Sequence, residues 1–256
     1  MTEQSKAGEP AGTVDDDEVA RFSALAEAWW DPDGDFAPLH RFNPVRLGYI
    51  RDRLCTHFGR GGGNLRPFEG LEMLDVGCGG GLIAEPLARL GASVTGIDAS
   101  ARNIAVAAAH AGEMGLTIEY RETTAEALAA TGARFDVVLA LEIVEHVADI
   151  GLFLDSCAAL MRPDGALVLA TLNRTPKSFL FAIVGGEYVL RWLPRGTHSW
   201  EKFVRPSEIA DGLARGGLAI DDITGVTYHP LAGDWRLGRD VAVNYMLLAK
   251  SRDGKE

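Results

Sequence analysis

The chain has 256 residues, of which 47% are hydrophobic and 24% charged, a composition that supports a sizeable core without disulfide or metal staples. A formal charge of −11 repels phosphate backbones and argues against general nucleic-acid binding. Three scattered cysteines, Cys55, Cys78 and Cys157, form no Cys-x-x-Cys pair, which speaks against a zinc ribbon or a secreted disulfide framework and favours a reducing cytosol.

The polar, acidic start, MTEQSKAGEPAGTVD, reads as a frayed tail through residue 15 and has none of the basic or apolar character of a targeting leader. Asp16 to Trp30 carries Val19, Phe22, Leu25, Ala26 and Trp29 at helical spacing. WWDPDGDFAPLHRFNP, with Pro32, Gly34, Pro38 and Pro44, is loop-like, and a second helix is predicted from about Val45 to Phe58. Residues 16–68 are therefore expected to form an N-terminal helical cap. Trp29 and Trp30 are expected to pack that cap, or to cover a ligand beneath it.

From Leu71 the short apolar runs LEMLDV, SVTGID, TIEYR, FDVVLAL and ALVLATL alternate with helical segments closed by Gly91, Gly115 and Pro163-Asp164-Gly165. Strands spaced by helices imply βαβ units and a mostly parallel sheet, so residues 69–256 read as one α/β, Rossmann-like domain. Leu218–Val226 and Val241–Lys250 are predicted as two further strands, an antiparallel edge. No run of apolar residues is long enough to span a bilayer.

Strand LEMLDV leads into Gly77-Cys78-Gly79-Gly80-Gly81, and Asp98 closes the next strand 21 positions after Gly77. Glycines let a backbone turn sharply against a ligand, and an acid at the second strand end accepts hydrogen bonds from ribose hydroxyls. The loop reads G-x-G-x-G with Leu82 where a dinucleotide fold wants a third glycine, and Asp75 would oppose a pyrophosphate. A cationic ligand suits these residues better, which disfavours a dehydrogenase. The pattern LDVGCGGG with Asp98, FDVVLALEIVEHV and LMRPDGALVLAT resembles the class I S-adenosylmethionine-dependent methyltransferases. That resemblance implies a sheet of seven mostly parallel strands with an antiparallel C-terminal strand.

A closer resemblance covers nearly the whole chain from Phe22. WWDPDGDFAPLHRFNPVRLGYI, LDVGCGGGLIAEPLARLGASVTGID, ATLNRTPKSFLFAIVGGEYVLRWLPRGTH, KFVRPSEI and VNYMLLAK resemble the ubiquinone biosynthesis O-methyltransferases. The resemblance implies methylation of phenolic oxygens on a polyprenylated catechol or demethylubiquinol, at both O-methylation steps, with S-adenosylmethionine as donor. It carries donor contacts onto Arg46, Gly77, Asp98 and Leu141; Gly79 and Gly81 are added from backbone logic. It further implies a polyprenyl phenol or quinol substrate, peripheral contact with an anionic membrane, a place in a ubiquinone-synthesis complex, and a cytoplasmic location at the inner face of the cell membrane. A methyltransferase for another small acceptor, or a non-catalytic subunit that binds the donor, are the competing readings.

A free phenol, with a pKa near 10, is only about 0.1% ionised at pH 7, so methyl transfer to its oxygen needs help removing a proton. Glu142, Glu145 and His146 follow the fourth strand, and in a helical turn their spacing puts all three on one face. They are expected either to hold a divalent ion, with Mg2+ implied by the resemblance, or to leave His146 as the unaided base, or to be structural. Asn173 and His198 are candidates for the acceptor pocket. The apolar segment 176–198, KSFLFAIVGGEYVLRWLPRGTH flanked by Pro176, is expected to be a pocket lid, a membrane anchor carrying Arg191 and Arg195, or a dimer interface, with core packing alone as the competing reading.

Overall fold

The central strand, β1 (Glu72–Val76), shows why the chain folds as it does: Met73, Leu74 and Val76 are all buried, because side chains alternate between two covered faces. Leu74 and Val76 enter one apolar cluster and Met73 the other. The same division runs along β4 (Phe135–Leu141), whose Val138 and Ala140 face the first cluster while Val137, Leu139 and Leu141 face the second. The computed structural model describes residues 12–61, 63–181, 199–229 and 232–252.

The remaining strands are β2 (Ser93–Asp98), β3 (Glu119–Glu122), β5 (Met161–Leu172), β6 (Leu218–His229), β7 (Asp234–Gly238) and β8 (Asn244–Ser251). They form an eight-stranded sheet in the order β3-β2-β1-β4-β5-β8-β6-β7. β3 through β5 are parallel in that order, and β8, β6 and β7 add antiparallel pairings. This is the expected Rossmann-like sheet with one strand more. β7 lies inside what reads as a loop, and it pairs only at the outer edge, with Tyr228 opposite Trp235.

The helices are α1 (Asp16–Ala24), α2 (Ala37–His57), α3 (Ala84–Arg89), α4 (Ala101–Glu113), α5 (Ala125–Ala130), α6 (Ile150–Ala159), α7 (Pro176–Ser178) and α8 (Pro206–Arg215). Phe153 and Leu154 of α6 and Leu213 of α8 fill the first cluster; Tyr49, Ile50 and Leu54 of α2 and Leu87 of α3 fill the second. α1 is shorter than the periodicity predicts, and a 3-10 turn at Ala26–Ala28 follows it. α2 is longer, starting at Ala37 rather than near Val45. Pro38 sits in its first turn, where a missing N–H costs nothing. Pro44 lies inside the helix, and burial of Phe42, Tyr49, Ile50 and Leu54 offsets the lost hydrogen bond.

Two other expectations change. The tail is not frayed to residue 15: Thr13 is buried, its N and Oγ1 bond Glu126 at 2.9 and 2.7 Å, and its carbonyl accepts from Ala148 N at 3.0 Å. Arg162 to Gly165 form no helix-closing turn; they loop out within the β5 span, because Met161 pairs with Phe135 and Ala166 already with Val137. Of the apolar segment 176–198, residues 182–198, with Arg191, Arg195 and His198, lie outside the described residues. No helix among the described residues is long and apolar enough to cross a membrane.

The strand order reverses between β1 and β4. Their C-terminal ends, followed by Gly77 and Glu142, open the crevice where parallel sheets bind ligands.

Candidate active site

The entry to the glycine loop folds onto one acceptor: Gly77 N and Cys78 N both donate to Ile97 O, at 2.8 and 2.9 Å. Folding back this tightly takes Gly77 to φ +71°, and a Cβ there would stand 2.6 Å from Ile143 Cδ1. The tryptophans press on the same loop. Trp29 covers Gly79 and Gly80, bonds Asn103 Oδ1 at 3.0 Å and stacks on Phe36 at 3.8 Å. Trp30 donates to Gly80 O at 2.9 Å and stacks on His110 at 3.5 Å.

Asp98 is held in place by Gly79 N, Ser100 N and Asn103 Nδ2, at 3.0, 2.8 and 3.2 Å. Burial raises its pKa against the pull of those donors. Asp75 is fully enclosed; burial lifts its carboxyl to about 7, although the Arg46 charge opposes this, and its Oδ2 finds no partner among the described residues. Arg46 is itself buried, bonded to Asn43 and packed over the Phe42 ring, in the field of Glu142 and Asp75.

One cavity gathers Gly77, Gly79 and Asp98 with Glu142 and His146, closed on another side by Thr13, Asp15, Glu18 and Phe22. Arg46, Gly81 and Leu141 are not among the described residues lining it. Arg46 stands behind, on α2; Gly81 packs against Tyr120; and Leu141 is buried as the last residue of β4.

The acidic turn departs from the expected helical face. Glu142 adopts φ +54°, a left-handed conformation that side chains rarely take, and Val144–His146 form a 3-10 turn. This rotates Glu145 inward, where its Oε2 accepts from Thr171 Oγ1 at 2.8 Å and its Oε1 has no partner among the described residues. Burial and then the Glu142 charge push the Glu145 carboxyl to about 8. His146 faces α1, with Nδ1 3.2 Å from Glu18 Oε2 and the Phe22 ring edge-on at 5.1 Å. Burial alone would raise Glu18, but pairing with His146, aided by Lys202 and Arg21, holds it down to about 2. Glu142, Glu145 and His146 thus form no group able to hold a metal ion, and no such group of three exists among the described residues. The helical one-face spacing expected of the three is replaced by a 3-10 turn and a left-handed residue.

Glu18, Phe22, Asn103 and Thr171 are the site residues that sequence reasoning missed. Asn103 alone carried a signal, five positions past Asp98 at the start of a helix. Asn173, a pocket candidate, is buried and donates to Val241 O at 2.9 Å.

A methyltransferase-domain model matches residues 74–169. A ubiquinone biosynthesis O-methyltransferase of Chelativorans sp. (strain BNC1) is 59% identical, over 93% of this chain and 94% of that protein. The chain belongs to the ubiquinone biosynthesis O-methyltransferase family. The relative of that name from Rhizobium johnstonii is 54% identical, over 98% of this chain and 99% of its own. Beyond the family, solved structures share the fold. The magnesium protoporphyrin IX methyltransferase of Synechocystis PCC 6803 with bound SAH is 22% identical, with TM-score 0.59 and coverage of 92% and 94%. A Burkholderia thailandensis 1,6-didemethyltoxoflavin-N1-methyltransferase is 17% identical, with TM-score 0.59 and coverage of 96% and 94%. Within the O-methyltransferase family, the resemblance read from the sequence motifs and the near-full-length identity agree.

Proposed function

We propose that the chain transfers a methyl group from S-adenosylmethionine to the phenolic oxygen of a polyprenylated catechol and of demethylubiquinol, the two O-methylations of ubiquinone synthesis. The observation that carries this reading is the shared cavity, lined by Asp98 and the glycine loop on one side and by His146 on another. Asp98 takes the ribose hydroxyls, while the backbone of Gly77 and Gly79, which lines the same cavity, runs beside the donor's chain. His146 takes the phenolic proton on Nε2, its Nδ1 being turned to Glu18. The oxygen's electron pair then forms the O–CH3 bond as the S–CH3 bond breaks, and the bonding pair of the broken S–CH3 bond stays on sulfur, turning the sulfonium into the neutral thioether of S-adenosylhomocysteine. The test is transfer of a labelled methyl group to a short-chain demethylubiquinol analogue; binding of S-adenosylhomocysteine without transfer would instead support a non-catalytic subunit.

Mg2+ belongs to this reading only as an ion that would have to draw Glu145 away from Thr171. The buried Glu145 Oε1, without a partner among the described residues, favours it, and the described geometry of the three side chains does not fit it. Transfer that survives exhaustive chelation removes the ion from the reading. Membrane contact is the remaining part: Phe179, Leu180 and Phe181 are 47%, 55% and 57% exposed at the start of the apolar segment, which supports a peripheral site at the inner face of the cell membrane. Neutralising Arg191 and Arg195 is expected to weaken co-sedimentation with anionic vesicles, and unchanged sedimentation refutes the contact.

A further inference from the structure

Two consecutive tryptophans hold the glycine loop by different routes. Trp29 lies over Gly79 and Gly80 at the donor cavity, where a Cβ on either glycine would stand 2.4 Å from its side chain. Its Nε1 donates to Asn103, which in turn donates to Asp98. Trp30 is not among the described residues lining that cavity, and its Nε1 donates to Gly80 O at 2.9 Å. Behind Trp30 runs a chain of contacts that the methyl transfer as described does not use. The His110 ring lies on the indole, with centroids 3.5 Å apart and planes within 8°. His110 Nδ1 hydrogen-bonds Glu85 Oε1 at 2.6 Å, and Arg89 Nη2 lies 3.5 Å from Glu85 Oε2. Asn103 and His110 are about two turns apart on α4, so one helix face supports both tryptophans.

Glu85 is 2% exposed on α3. A buried ion pair is a poor source of stability, because desolvation consumes most of the attraction. It does give direction. With Nδ1 bonded to a carboxylate, the imidazole plane is set, and the indole stacked on it is set as well. The indole N–H then meets the Gly80 carbonyl from one side only. Gly80 thus lies between two pinned points, since Gly79 N donates to Asp98 and Gly80 O accepts from Trp30. Three glycines in a row, Gly79 to Gly81, have many backbone alternatives, so the loop needs such restraints to keep one shape. A loop held before its ligand arrives loses less entropy on binding.

We propose that Trp30, His110 and Glu85 are positioning residues for the methyl donor: Glu85 orients His110, His110 orients Trp30, and Trp30 holds the glycine loop in its binding shape. The proposal rests on the reading of this cavity as the donor site. None of the three is among the described residues lining it; they act through Gly80. The full-length chain is compared with W30F, H110A, E85A, E85Q and the W30F/H110A double variant. The readouts are calorimetric affinity for S-adenosylhomocysteine, KM for the donor, kcat at saturating donor and acceptor, and the thermal midpoint. W30F keeps an aromatic ring on His110 and loses the indole N–H, and it is expected to weaken S-adenosylhomocysteine binding by about 3- to 10-fold. H110A is expected to weaken it similarly, but by less than about 1.5-fold in the W30F background, where the N–H it orients is gone. E85Q can still bond Nδ1 and is expected to stay within about twofold of the parent, while E85A falls with H110A. KM for the donor should rise in step, with kcat at saturation within about twofold of the parent. Lowered thermal midpoints with unchanged affinity mark a merely structural cluster and overturn the proposal, as do multiplicative losses in the double variant. W30F decides the matter even where E85A does not fold. A parent chain that gives no heat with S-adenosylhomocysteine fails the donor-site reading itself; a parent that binds, with W30F binding equally well, fails only the positioning role.

Discussion

Gly77→Ala tests the shape of the donor loop with a magnitude that can be worked out beforehand. The residue sits at φ +71°, which costs an L side chain about 1–2 kcal/mol. The added Cβ would also lie 2.6 Å from Ile143 Cδ1 and 3.0 Å from Cγ1, an overlap worth about 1–3 kcal/mol in a packed interior. The backbone cannot shift to relieve it, because Gly77 N and Cys78 N are both held by Ile97 O. Gly115 is the matched control: its φ is +67°, and a Cβ there would meet nothing within 4 Å. Urea unfolding should therefore place G115A about 1–2 kcal/mol below the parent and G77A about 2–5 kcal/mol below it. In an I143A background the two overlapping atoms are gone and only Ile143 Cβ remains, 3.3 Å away, so the G77A increment should shrink toward that of G115A. Equal losses for G77A and G115A, or a G77A increment that Ile143→Ala leaves unchanged, would refute the steric argument.

Asp98→Ala removes the acceptor shared by Gly79, Ser100 and Asn103 and, on the proposed function, the partner of the ribose hydroxyls. Calorimetry should show S-adenosylhomocysteine binding weakened by about 2–4 kcal/mol, and an unchanged affinity would place the adenosyl group elsewhere. For Glu145 the sign follows from its raised pKa of about 8 against an ordinary 4.5. The folded chain keeps a proton that the unfolded chain releases, so this contribution is complete below about 4.5 and is lost as pH rises through 8. E145Q stays neutral and still accepts from Thr171, so it should gain stability over the parent between pH 5 and pH 9 in urea midpoints; parallel profiles would show that Glu145 is ionised in the fold. Glu18 runs the other way, its contribution present above 4.5 and fading as pH falls toward 2, so the stability gap between the parent and E18Q should close in acid.

Chain-local chemistry made much of this legible. Apolar runs of strand length between helical segments specify buried parallel strands, and a glycine loop between a strand and a helix, with Asp98 after the next strand, specifies a turn that brings Asp98 beside the loop, because each depends on neighbours a few residues away. The errors have equally local origins. Pro38 and Pro44 read as breakers, yet one sits where its missing N–H is harmless and the other is outweighed by side chains packed on the sheet. β7 is too short and polar to announce itself, and it exists because β6 offers an open edge. The helical spacing that grouped Glu142, Glu145 and His146 presumed a regular turn, and a left-handed Glu142 removed it.

By itself, then, the sequence determined the α/β alternation, the glycine loop and the family, since those are written in periodicity and in contiguous motifs. Tertiary structure alone decided that Glu145 turns inward to Thr171 and that Glu18 meets His146. Such pairings join positions far apart in the chain, and only the closing of α1 and β5 around the end of β4 brings them within reach.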